Sequence, residues 1–135
     1  NNINDQYREL RQAQFINCVI TGYGEDVIMG SISEGQDYTC PYLFSHCYLN
    51  TVASEDTVRF SHIIYDTDEQ PLCREKNFVL FDTDNFLYDF TPDSLSTIRS
   101  LADTTYSRLL PLDLRGKSRV EDDAPDAGCY EYVAP

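Results

Sequence analysis

The residues of this chain best suited to holding a small molecule recur at every second position. Tyr38, Tyr42, Phe44, His46 and Tyr48 share one parity, and so do Phe60, His62 and Ile64; Phe86, Tyr88 and Phe90 continue the pattern further on. Side chains alternate across an extended segment, so each set would fall on one face. Rings with an occasional hydroxyl or imidazole suit a flat or elongated apolar ligand with some polar ends. The competing reading is an ordinary aromatic core. His46 and His62 could also ligate a metal or haem, or hydrogen-bond a ligand, although most such histidines are satisfied core or rim residues.

Two near-copies of one phrase come next, Ile63-Ile64-Tyr65-Asp66-Thr67-Asp68 and Val79-Leu80-Phe81-Asp82-Thr83-Asp84. Each is a strand-favouring run that breaks on residues prone to bond their own backbone, and so reads as a strand end. Calcium would need about six to eight oxygens, and no EF-hand spacing accompanies either copy. Turn chemistry on a solvated rim is the simpler reading. No catalytic residue is assigned: the sequence has no G-x-S-x-G, H-E-x-x-H, phosphate loop or dinucleotide fingerprint. The balance leans away from an enzyme.

The composition narrows the class. The 135 residues suit one domain spanning 1–135, with ten Tyr and seven Phe against one Met and no Trp. Ten basic against 23 acidic residues give a net charge of −13, which repels phosphate backbones and anionic lipid surfaces. Nucleic acid is therefore excluded as a partner, and no apolar run is long enough for membrane insertion. Five cysteines, Cys18, Cys40, Cys47, Cys73 and Cys129, lack the spacing of a zinc site and are disulfide candidates of open pairing. Two bridges would leave one thiol over, free or linking chains, so a disulfide-linked or non-covalent oligomer is compatible with the count. That cysteine usage, and a start at Asn1 without Met, point to a secreted, extracellular protein.

The elements expected to position these residues are mostly short strands. Residues 1–14 read as an arm or short helix. Residues 15–90 read as a β meander, with strands at 15–23, 27–33, 38–52, 57–65, 78–81 and 86–90. Thr91-Pro92-Asp93 supplies an N-cap, a first-position proline and an acid, and Leu95, Ile98, Leu101, Ala102 and Leu109 form a stripe. An amphipathic helix is expected over about 92–110, and an extended tail, 111–135, pinned near Cys129. No solenoid-type repeat is evident. Short gaps between strands favour an antiparallel meander, closed into a barrel or strongly curved, with the helix packed on it; an open α+β sheet is the alternative.

The segment Thr83-Asp84-Asn85-Phe86-Leu87-Tyr88 resembles the T-D-x-x-x-Y spacing near the late strands of lipocalins, a calycin family. An apolar strand precedes it, a helical pattern follows, and a late cysteine could tie the tail to the barrel, as in that family. Asn85 stands where the family has tyrosine, and the N-terminal G-x-W is absent. The resemblance implies a secreted barrel that transports a small hydrophobic molecule. The expected function is thus carriage or sequestration of a largely hydrophobic or aromatic ligand, with no cofactor specified beyond such a ligand or chromophore. The alternative is a secreted, disulfide-linked structural or interaction module.

Overall fold

The computed structural model describes residues 11–22, 41–67 and 74–134, and its strands run parallel where antiparallel pairing was expected. Three segments each make the same bent path. The first is β1 (Ala13–Ile16) and β2 (Val19–Ile20), the second β3 (Tyr42–Ser45) and β4 (Tyr48–Leu49), the third β5 (Phe60–Ser61) and β6 (Ile64–Tyr65). The segments stack in register as rungs. Phe15 lies beside Phe44 and Phe44 beside Phe60, while Val19, Tyr48 and Ile64 align beyond the bend. Two three-stranded parallel sheets result, β1-β3-β5 and β2-β4-β6, and neither closes into a barrel.

The bend explains why period-2 reading failed here. Asn17, His46 and His62 occupy equivalent corners with φ of 58°, 53° and 55°. Asparagine and histidine are enriched in this left-handed region, so these residue types suit a corner that the strand-favouring residues around them would resist. A corner also reverses which parity faces the core. Tyr42, Phe44, His46 and Tyr48 therefore do not share one face, and the expected strands 15–23, 38–52 and 57–65 are each split in two. The repeat is a solenoid-like one after all, concealed because the spacings between successive rungs, residues 21–41 and residues 50–59, differ so much in length.

The second sheet is covered on both sides. Tyr48 joins Phe78, Ile98 and Ala127 in one buried cluster, and its neighbour Leu49 joins Phe44 and Cys47 in the other. A parallel sheet needs such two-sided cover, which accounts for the continuous burial of Cys47 to Asn50. In the first sheet, Phe15 stacks on Phe44 at 4.6 Å and Phe44 on Phe60 at 5.3 Å, a ring ladder running across all three rungs.

The remaining cover comes from the second half of the chain. A 3-10 turn (Arg74–Asn77) leads into β7 (Phe78–Asp82), which pairs antiparallel with β8 (Leu87–Pro92). Pro92, expected to open a helix, ends this strand instead. The long helix shrinks to α1 (Thr104–Leu109), capped by Asp103, whose side chain accepts the Tyr106 N–H. Serine, threonine and aspartate between them compete for the backbone. Asn77 Oδ1 accepts Thr97 N–H at 2.9 Å, Asp126 accepts Ser100 N–H at 2.8 Å, and Ser100 turns to φ 56°. Successive turns thus replace helix over 93–102, and Leu95 of the expected stripe is left 89% exposed.

Cys18, Cys47 and Cys129 are free thiols, so no disulfide joins them and none ties down the tail. Cys40 and Cys73, Tyr38, the strand expected at 27–33 and the first ten residues lie outside the described residues.

The corner makes a sharp demand at His62, which is exposed and so loses little packing when replaced. His62→Asn leaves chemical stability nearly unchanged, whereas His62→Val, β-branched at positive φ, costs about 1–2 kcal/mol. Paired urea titrations check both outcomes.

Candidate functional site

One cavity among the described residues combines size with a chemically uniform wall. Its volume is about 810 Å³, within the range of sites that take a drug-sized molecule. Val19, Ile20, Thr21 and Gly22, at and just beyond β2, form one side. The hairpin supplies Phe78, Phe81, Thr83, Tyr88 and Phe90; Ile98 and the strip Ala127-Gly128-Cys129 close the rest.

The hairpin rings reach a common wall through an irregularity in pairing. Phe78 and Phe81 differ in parity, but the ladder slips between Phe78 and Leu80, and such a bulge turns both toward one side. The Phe78 and Phe90 rings meet edge to face at 5.3 Å, as do Phe81 and Tyr88, while Tyr88 and Phe90 stack at 5.7 Å. Offset and edge contacts of this kind hold rings in fixed orientations.

The opposite wall is set by close backbone approach. Gly128 donates its N–H to the Asn17 carbonyl at 2.8 Å, tying the late strip to the first rung. Its φ of 97° excludes most side chains, and a Cβ there would meet Val19 Cγ2 at 3.2 Å. The strip is held from behind by polar groups. Arg119 donates to Glu131 Oε1 at 2.7 Å, to the Asp126 carbonyl at 3.1 Å and to the Gly128 carbonyl at 2.9 Å. This network, in place of a Cys129 bridge, pins the tail.

Of the residues expected from sequence to line a pocket, Tyr88 and Phe90 alone among the described residues do so. Phe44 and Tyr48 are core, and Tyr48 donates to the buried Asp66 at 2.5 Å. Tyr42 and Phe60 belong to the aromatic packing of the first sheet, and Ile64 packs against the Tyr48 cluster. Phe86 is 77% exposed at the hairpin turn with φ 55°. Val19, Ile20, Thr21, Phe78, Phe81, Ile98 and the 127–129 strip were missed as site residues. Their signal in the sequence is only that of core packing, and their convergence depends on which rung meets which segment.

His46 and His62 do come together, at the corner and away from the cavity. Their rings stack at 4.3 Å. Burial first, and then the neighbouring His62, hold the His46 imidazole below its ordinary pKa, against the pull of Asp103 at 4.0 Å. Ser45 Oγ lies 2.9 Å from His46 Nδ1 and accepts from Ser61 Oγ at 3.0 Å. Beside this ladder, Cys18 and Cys47 are adjacent on neighbouring rungs; a hydrogen bond from Cys47 brings the Cys18 thiol down to about 7 and raises that of Cys47. Among the described residues no cluster of three or more His, Cys, Asp or Glu side chains could hold a metal.

The Asp-Thr-Asp copies part company. Asp66 is buried beneath the second sheet, whereas Asp82 accepts the Asp84 and Asn85 N–H groups in an exposed turn. No protein-family model matches the chain, and neither the curated proteins nor the solved structures contain a significant match to it.

The carboxylate of Asp113 carries the most testable electrostatics behind the cavity wall. Burial alone would raise its pKa, but N–H bonds from Glu131 at 3.0 Å and from Lys117 and Arg115 at 2.8 Å outweigh burial and lower it. A folded pKa below the unfolded one stabilises the protein above about pH 4, and that contribution disappears as pH falls through the folded value. Glu131 has the opposite sign: burial raises its carboxyl, so its cost to folding eases as pH falls toward its unfolded value. Asp113→Asn is expected to cost about 2–3 kcal/mol at pH 7 and clearly less at pH 3, read from urea unfolding at both pH values.

Proposed function

We propose that this protein binds a small, largely apolar molecule in the cavity between the second sheet, the hairpin and the 127–129 strip. The observation that supports it is the cavity itself, a volume of about 810 Å³ walled by four aromatic rings and the aliphatic side chains of Val19, Ile20 and Ile98. A ring or chain entering it leaves water for contact with Phe78, Phe81, Tyr88 and Phe90. That transfer contributes on the order of 25 cal/mol per Å² of apolar surface covered. Carriage or sequestration fits such a site better than catalysis, because among the described residues no nucleophile activated by a neighbouring base lines it; the Cys129 thiol is kept neutral by burial.

A second reading has its own observation. Leu109, Leu110, Leu112 and Leu114 are 59–78% exposed along one short stretch, a surface that also suits a protein partner. The cavity is the more specific feature, since its rings are oriented and its described walls come from four separate parts of the chain.

The binding reading is tested with N-phenyl-1-naphthylamine, whose emission rises in apolar surroundings. One equivalent per chain should bind with micromolar affinity, and Phe90→Ala, which removes a wall ring that is already 41% exposed, should weaken binding about tenfold with little change in melting temperature. Dark emission at stoichiometric protein, or equal binding by the variant, would count against the cavity as the site.

A further inference from the structure

We infer that the cavity is acid-sensitive: protonation of the stacked His46 and His62 loosens the first rung from its cover, and the ligand leaves. This rests on the binding reading above and adds a regulation of that same site. The two imidazoles lie face to face, their centroids 4.3 Å apart and their planes within 9° of parallel. Neutral rings tolerate such a stack, whereas two imidazolium ions so close repel each other. The hydroxyls beside them also suit the neutral form. Ser45 Oγ accepts from Ser61 Oγ at 3.0 Å, which leaves its own proton for His46 Nδ1 at 2.9 Å. An imidazolium has no lone pair there to receive it. Among the described residues, the charged groups acting on His46 are His62 on the next rung and Asp103 at the start of α1. Burial and His62 disfavour the cation and outweigh Asp103, whose Oδ2 lies 4.0 Å from His46 Nε2. The unfolded chain therefore takes up the proton first, and stability is lost as pH falls below about 6.5 toward the folded value.

The row of corners ends at the cavity wall. Asn17 is the first-rung equivalent of His46 and His62, and Val19, two residues on, lines the cavity. Asn17 Oδ1 accepts the Asp103 N–H at 2.7 Å, while its Nδ2 donates to the Asp103 carbonyl at 3.3 Å and to Ser107 Oγ at 3.2 Å. Its own carbonyl accepts from Gly128 of the opposite wall at 2.8 Å. Asp103 thus meets both ends of the row, facing His46 and held by Asn17. A shift of this row carries Val19 and the 127–129 strip with it, so proton uptake and ligand binding oppose each other, each weakening the other by the same factor. One further group behind the strip titrates on the acid side: burial raises the Glu131 carboxyl, which bonds Arg119. The Cys129 thiol, pushed up by burial, stays protonated throughout.

N-phenyl-1-naphthylamine, which stays neutral across this range, is titrated into the protein at pH 7 and at pH 5. Its affinity should fall about tenfold between the two. His46→Asn and His62→Asn place at the corner the residue type that Asn17 already supplies on the first rung. Each should leave binding at pH 7 within about twofold of the parent and cut the acid loss to about threefold or less. Circular dichroism confirms that the variants fold; should His46→Asn not do so, the exposed His62 carries the test alone. Urea unfolding without the probe should show the parent losing more stability than His62→Asn between pH 7 and pH 5. Equal affinity at both pH values overturns the inference and leaves the cavity reading standing. So does an acid loss of the same size in parent and variants, which assigns the effect to Glu131 or another carboxyl. No binding even at pH 7 brings down the cavity reading, and this inference with it.

Discussion

The three corners at Asn17, His46 and His62 are the constraint on which the rest of the structure depends. Each holds its residue at φ between 53° and 58°, and each sends the chain from one parallel sheet into the other. Without the corner, a run such as Tyr42 to Leu49 would be one straight strand with a single buried face. With it, Phe44 and Leu49 pack in one cluster while Tyr48 turns to a second. Stacking then repeats the arrangement rung upon rung, and the ring ladder of Phe15, Phe44 and Phe60 follows from register alone. Because Tyr48, Val19 and Ile64 point away from the first sheet, they require cover from elsewhere. The hairpin and the late turns supply it, and the cavity lies where that cover leaves room.

Cover of this kind is held mainly by polar side chains. Asn17 is the clearest instance: its Oδ1 accepts the Asp103 N–H at 2.7 Å, its Nδ2 reaches the Asp103 carbonyl, and its own carbonyl accepts from Gly128. One corner residue thus docks the start of α1 and the cavity strip together. Asn77, Asp113 and Asp126 perform the same service for irregular segments elsewhere, each accepting backbone N–H groups from residues distant in sequence. Segments without a regular ladder must satisfy their backbone groups by some other means. An acidic sequence is well supplied with acceptors for that purpose, which gives many of its carboxylates a structural use apart from any binding site.

That division explains what was legible beforehand. Strand-forming runs were readable around Phe15, Phe44, Phe60, Phe78 and Tyr88, because β-branched and aromatic residues mark a pleated surface whatever its pairing. Pairing direction was not readable. Short gaps suggest hairpins, but a coil that returns to its starting side places neighbouring strands parallel. The unequal spacing between rungs, residues 21–41 against residues 50–59, then hid the repeat that would have revealed it. The helix over 92–110 failed for a local reason: Ser96, Thr97 and Ser100 find backbone and Asn77 or Asp126 partners that a helix would deny them. The aromatic face expected from Tyr38 to Tyr48 failed at the corner, since parity has no meaning across a left-handed residue. An aromatic-lined cavity is present, but of the residues expected to line one only Tyr88 and Phe90 do, because the others that converge on it lie on segments brought together by tertiary contacts.

The position of charge relative to the cavity is the last consequence of this build. Arg119, Glu131, Asp126 and Asp113 sit behind the 127–129 strip and bond to its backbone or to one another. Arg115 is drawn toward Asp89 at 3.0 Å and Thr91, and its guanidinium lies 4.1 Å from the Tyr130 ring. Among the described residues, the charges that shape the wall thus bond behind it and do not line its inner surface. In a protein of net charge −13, an uncharged inner surface among the described residues is an arrangement the fold has to impose, because acids outnumber every other ionisable type. Carboxylates committed to backbone N–H groups and to Arg119 hold the irregular wall in place from behind, apart from the rings and aliphatic side chains of its described inner surface.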